Sequence, residues 1–223
     1  MVTVGRFRTL ILALAATVVC SSCAAPRPSN SALTKPGIVE TTSLLGRPLR
    51  AGPPGADVEK LEADLVAAKD ALAADPNDPD KIIWVGRRLG YLWRMNEAVE
   101  LFSRGIELHP EYAPLYRHRG HRYISLRRFD EAIADLEKAA DLIKDKPDEV
   151  EPDGAPNARG IPLTTTGFNV WYHLALARYL TGDYEGALAA WHQAARYGRG
   201  YDDNLAAVTD WMYITLRCLG RDK

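Results

Sequence analysis

Residues Trp171 to Ala194 read WYHLALARYLTGDYEGALAAWHQA, two short amphipathic helices meeting at Thr181-Gly182-Asp183. Such a hairpin is too small to bury its own apolar stripe. The stretch therefore predicts further hairpins stacked against it, each covering the apolar face of the next.

Upstream, the pattern recurs at a fixed interval. Between Ala113 and Lys144 stand Tyr123, Phe129, Ala132, Leu136 and Ala139, with Gly120 as a small residue. Thirty-four residues before Ala132, Leu136 and Ala139 stand Ala98, Phe102 and Gly105, followed by Pro110. One more step back reaches Ala68, Ala71 and Pro76, where a lone helix replaces a full hairpin. In the quoted stretch, Trp171, Leu174, Ala175, Gly182, Asp183, Tyr184, Ala187 and Ala194 keep the same register. A generic up-and-down bundle would share the apolar spacing but would not require this period.

These residues together resemble the tetratricopeptide repeat. The departures are Ile82 for the usual first-helix aromatic, Arg178 for a tyrosine and Lys144 for the closing proline. Small residues at Gly86, Gly120 and Ala175, and at Ala98, Ala132 and Ala187, allow the helices of a pair to approach closely. The resemblance implies an all-α, right-handed α-solenoid of three hairpins with a helix at each end. It also implies an interaction scaffold, not an enzyme.

The expected organisation is a signal peptide over 1–22, a flexible or extended tether over 23–55 and a repeat domain over 56–223. Arg6 and Arg8 precede an apolar run from Leu10 to Val19 that is too short to span a bilayer. Val19-Cys20-Ser21-Ser22-Cys23-Ala24 is similar to a bacterial lipobox and makes Cys23 the candidate lipidation site, with Cys20 a departure from the usual Leu. With Cys20 removed and Cys23 acylated, Cys218 is left without a disulfide partner. Ala24 after the acylated residue points to the periplasmic face of the outer membrane. The membrane is then reached through the N-terminal lipid alone.

Loss of residues 1–22 removes two arginines and no acid, leaving 26 basic against 29 acidic side chains. A mildly acidic chain offers no basic stripe for nucleic acid. Within the tether, Ser43 to Leu49 is apolar enough to dock in extended form along the solenoid. Hairpins are expected at about 79–112, 113–146 and 168–201, with a capping helix over 204–219. Between the second and third hairpins about twenty residues, a loop over 145–167, interrupt the period. Its prolines, with Val150, Ile161 and Leu163, predict an ordered segment, and Asp148, Glu149, Glu151 and Asp153 suit a cationic groove beside it.

No nucleophile elbow, phosphate loop or zinc helix is present, and no cofactor or metal is expected. The resemblance implies that the first helices of successive hairpins line a concave groove. By register, its lining is Trp84, Arg87 and Tyr91, then Arg117, His118 and His121, then Asn169, Tyr172, His173 and Tyr179. Some relatives clamp acidic chaperone tails through lysines, asparagines and an arginine. The matching places here hold Ile83, Arg87, His118, Asn169 and His173, which does not reproduce that clamp. Aromatic residues at helical spacing also serve as core, but burying an unpaired arginine is costly, so Arg87 and Arg117 call for water or an anionic partner. The favoured function is a scaffold binding a peptide or envelope protein, with an acidic partner fitting best. The alternative is a metal-binding or enzymatic protein built on the groove histidines.

Overall fold

The computed structural model describes residues 37–52, 57–152 and 164–221. The expected signal peptide, Cys23, residues 24–36 and 53–55 of the tether and the middle of the insertion, including Pro156, Ile161, Pro162 and Leu163, lie outside them.

Among the described residues eight helices follow one another: α1 Val58–Ala74, α2 Pro79–Tyr91, α3 Met95–Leu108, α4 Ala113–Ser125, α5 Phe129–Ile143, α6 Thr166–Thr181, α7 Tyr184–Tyr197 and α8 Asp202–Cys218. Short polar side chains start several of them. Asp57, Asp78, Thr165 and Asp183 each accept a hydrogen bond from a backbone N–H in the first turn of α1, α2, α6 and α7. Pro79 sits in the first turn of α2, where its missing N–H has no helical partner to lose.

One turn recurs in every pair. After α2, α4 and α6 the chain enters the left-handed region at Trp93 (φ 59°), Arg127 (φ 66°) and Gly182 (φ 85°). The next N–H reaches back to the helix, Arg94 to Leu89, Arg128 to Tyr123 and Asp183 to Arg178. This is a Schellman turn repeated in register. The same turn ends α8, with Gly220 at φ 68° and Arg221 N–H on Leu216. The closing helix therefore ends as a first helix of a pair does.

Within each pair the close approach is set by small residues. A Cβ on Gly86 would lie 2.2 Å from the Phe102 ring, and one on Gly120 2.8 Å from Leu136. At the corresponding place in the third pair the buried Ala175 suffices. Beyond the third pair, α8 is held by aromatic packing. Trp191 stacks on Trp211 at 5.8 Å, and its indole N–H donates to the buried Thr215 hydroxyl at 3.2 Å. Helix pairs α2–α3, α4–α5 and α6–α7 stack side by side, and α2, α4 and α6 also touch one another in turn. They form the inner row of an α-solenoid. No helix among the described residues is long and apolar enough to cross a membrane.

The structure corrects the reading of residues 37–52 as tether. Strands β1 Val39–Thr42 and β2 Pro48–Arg50 form an antiparallel hairpin seated on the solenoid. Its hold is polar. The Glu40 carboxylate accepts the Asn96 backbone N–H and the Asn96 amide, both at 2.8 Å, and Thr41 Oγ1 donates to the Leu126 carbonyl at 2.9 Å. Gly52 N–H donates to the Leu92 carbonyl. The hairpin thus satisfies backbone groups that α2, α3 and α4 leave open at their ends. The apolar residues expected to dock do not all do so, since Leu44 and Leu45 form the turn and stand 82% and 84% exposed.

Candidate functional site

The 34-residue spacing puts Trp84, His118 and, past the insertion, His173 at one position of three successive first helices. Around them the inner row gathers Arg87 on α2, Arg117, His121 and Arg122 on α4, and Asn169 on α6. The third helix begins at Thr166, earlier than the expected Phe168, because the insertion pairs with the residues just before it. Val150 and Thr165 form an antiparallel bridge, Glu151 N–H donates to Thr164 and Thr166 N–H donates to Glu149. Asp148 Oδ1 receives the Gly167 N–H at 2.9 Å, an acid at the N-terminus of α6 where the helix dipole favours it.

That pairing turns Glu151 inward. Its carboxylate is buried, accepts from Asn169 Nδ2 at 2.6 Å, and lies 3.0 Å from Arg117 Nη2 and 3.5 Å from His118 Nε2. The next residue is held too: Arg87 Nη1 donates to the Pro152 carbonyl at 2.5 Å while its guanidinium lies over Trp84 at 4.6 Å. Arg87 Nη2 reaches the Tyr91 hydroxyl at 3.5 Å. A cavity of about 240 Å³ remains beside the segment, bounded by Trp84, Arg87, Tyr112 and residues 149–152.

The histidines are tied down by neighbours of fixed chemistry. Arg117 donates to His118 Nδ1 and Arg122 to His121 Nδ1, each at 2.8 Å, so both rings carry their proton on Nε2. His173 is the opposite tautomer, its Nδ1–H donating to the Asn169 carbonyl at 2.6 Å. The His121 and His173 rings pack at 4.1 Å. Burial, then Arg117, holds His118 well below the usual imidazole range, and burial, then Arg122, does the same to His121. His173 is pushed down to about 3 by burial and then Arg117. All three are neutral near pH 7. The positive charge of the site is carried by guanidinium groups, and even these feel the burial: Arg122 is lowered to about 10, by burial first and Arg117 next. Arg117 is lowered by burial, which Glu151 opposes, and its Nε finds no partner among the described residues.

Two of the expected lining residues belong elsewhere. Tyr172 packs edge-on against Trp191 and receives the Trp211 indole N–H at 2.9 Å, while Tyr179 packs on Tyr184 and Trp211. Both tie α6 to α7 and α8. In exchange, two residues outside the expected lining enter the site. Glu151 was visible only as one acid among four in the insertion, because its burial depends on the Val150–Thr165 bridge. Arg122 extends against α2 at Gly90, where a Cβ would come within 2.1 Å of its Nη1. No local pattern in the sequence marks that crossing.

Of Arg87, Arg117 and Arg122, only Arg117 has a carboxylate, that of Glu151, at ion-pair distance among the described residues. Such a surface favours anions. The metal alternative fares poorly on geometry, since the Nδ1 lone pairs of His118 and His121 are taken up by arginines. Among the described residues no three His, Cys, Asp or Glu side chains are placed to hold a metal ion.

A tetratricopeptide repeat family model matches residues 113–146, the α4–α5 pair. Human tetratricopeptide repeat protein 13 is 30% identical over 107 residues, which is 48% of this chain and 12% of that protein. This chain thus spans about an eighth of that relative's length. Among solved structures, MamA aligns over 74% of this chain and 82% of its own at a TM-score of 0.56 and 17% identity. A thermophilic TPR protein of Thermus thermophilus aligns over 74% of this chain and 77% of its own, at 0.54 and 18%. The TPR domain of Sgt2 from Aspergillus fumigatus aligns over 64% and 79%, at 0.50 and 19%. At such identities the structural likeness speaks for the fold alone. Residues 113–146 thus match a tetratricopeptide repeat, the same turn is carried in register to either side, and the chain has an α-solenoid fold similar to that of these TPR structures.

Proposed function

We propose that the protein is an extracytoplasmic interaction scaffold, anchored by a lipid on Cys23 at the periplasmic face of the outer membrane, that receives a peptide segment or envelope protein on its inner face. Its role is binding rather than catalysis. The observation that carries this reading is the inner-row cluster of Arg87, Arg117 and Arg122, buried or half-buried, of which only Arg117 has a carboxylate, that of Glu151, at ion-pair distance among the described residues. Burying guanidinium groups with so little compensation is costly for stability alone, and it is useful where an anionic segment is to be bound. The partner accordingly carries carboxylates along an extended stretch.

Affinity capture from envelope extracts, run in parallel with the wild-type chain and Arg87→Glu, tests the surface. A species lost from the variant supports the inner face, and one retained equally by both places the contact elsewhere. The anchor is tested separately by intact mass and fractionation. Acylation should add a lipid mass to a chain beginning at Cys23, and Cys23→Ser should release the protein from membranes. An unmodified N-terminus at Ala24 or beyond removes the anchor from the account and leaves the inner-face reading standing.

A further inference from the structure

The inner face already holds an extended acidic segment, and that segment belongs to the chain itself. Glu151 presents its carboxylate to Arg117, His118 and Asn169, and the Pro152 carbonyl takes the Arg87 guanidinium. These are a side-chain acid and the main-chain acceptor of the following residue, an arrangement any extended peptide can reproduce. The segment is held lightly. Of residues 148–152 only Glu151 is buried, Val150 is 52% exposed, and the backbone is fixed by the short pairing around Val150 and Thr165. No apolar side chain of the segment is sunk into the solenoid. A buried ion pair adds little net stability over its own desolvation cost, so exchanging it for an equivalent pair supplied from outside is close to neutral. Arg117 Nε, which finds no hydrogen-bond partner among the described residues, and the space beside Trp84, Arg87 and Tyr112 that the resident segment borders but leaves unfilled are contacts open to an incoming segment.

We propose that residues 149–152 are a resident pseudo-ligand, and that the partner is an extended acidic peptide which displaces them. Its carboxylate takes the place of Glu151 on Arg117 and Asn169, and its next carbonyl the place of Pro152 on Arg87. This rests on the inner-face reading above and adds its regulation: the insertion lowers affinity for weak acidic segments and selects those that also fill the cavity.

The probe is the chain's own sequence supplied in trans, an acetylated and amidated peptide Pro-Asp-Glu-Val-Glu-Pro carrying a fluorophore, titrated by anisotropy into the purified chain. Glu151→Ala should bind the probe at least tenfold more tightly than wild type does. The gain should vanish when the second glutamate of the probe is replaced by glutamine, and again when Arg87→Ala is added. Equal affinity of wild type and Glu151→Ala, or no binding to either, overturns the proposal. Native-state hydrogen exchange on the wild-type chain gives a second measurement that needs no variant. The amides of Glu151 and Thr166 should exchange through a local opening well ahead of the helical core, and exchange only with global unfolding overturns the proposal. Failure here with an Arg87-dependent captured species removes the pseudo-ligand and keeps the inner face. Capture indifferent to Arg87→Glu removes the inner face itself.

Discussion

Arg127 stands in a conformation that suits glycine. It follows the first helix of the second pair at φ 66°, where the third pair has Gly182 at φ 85°. A side chain in the left-handed region costs about 1–2 kcal/mol. Arg127 is exposed, so its replacement by glycine should give a net stabilisation of up to about 1 kcal/mol, since glycine returns part of the gain as unfolded-state entropy. A denaturation midpoint that falls in Arg127→Gly would show that the arginine makes contacts outweighing the strain. The sequence reveals this position only through the period, because nothing about arginine signals a left-handed residue. The histidines carry a second prediction. His173 titrates at about 3 when folded and near 6.5 when unfolded, so between those values the unfolded chain binds more protons. Its stability contribution is present above the unfolded value and is lost as pH falls from about 6.5 toward about 3. The slope is roughly 1.4 kcal/mol per pH unit for each such histidine. Chemical denaturation at pH 7, 6 and 5 should show stability falling with acidity, and His173→Gln should flatten the curve by about one proton. An unchanged slope in that variant would mean the imidazole is free to protonate in the folded chain.

At the level of elements, the helices were legible because their signals are local or periodic: apolar steps, and a small residue at Gly86 or Gly120 facing its partner helix. The β-hairpin was not, because what seats it is distant in sequence. Glu40 reaches Asn96 across 56 residues, and a lone glutamate in a Pro-, Ser- and Thr-rich stretch looks like solvated linker. Glu40 supplies α3 with the N-terminal acceptor that Arg94, its first flanking residue, does not provide. Glu40→Ala should cost about 1 kcal/mol, as loss of a helix cap does. It should also raise hydrogen exchange at residues 39–50 selectively. Stability unchanged within about 0.3 kcal/mol, with the strand amides still protected, would mean that Thr41 and Gly52 hold the hairpin without it. The insertion is an intermediate case. Its acids and its place beside the groove were readable, whereas the choice of Glu151 as the buried one follows from a bridge at Val150 that only the folded chain displays.

For the whole molecule, the period fixes the order of helices along the solenoid, and thereby which residues share the inner row, before any contact is known. It does not say which inner residues meet a partner and which meet the next helix, and for Tyr172 and Tyr179 the difference is the presence of Trp211 on α8. The central claim is that the inner row is the binding surface. It is tested most directly by placing a photo-crosslinking amino acid at Trp84, on the inner face, or at the exposed Lys138, on the second helix of the middle pair, and irradiating cells that express each form. The account predicts a discrete adduct from position 84 that is absent from position 138 and is lost when Arg87→Glu is added. An adduct from position 138 alone, or one from position 84 that survives Arg87→Glu, would contradict it.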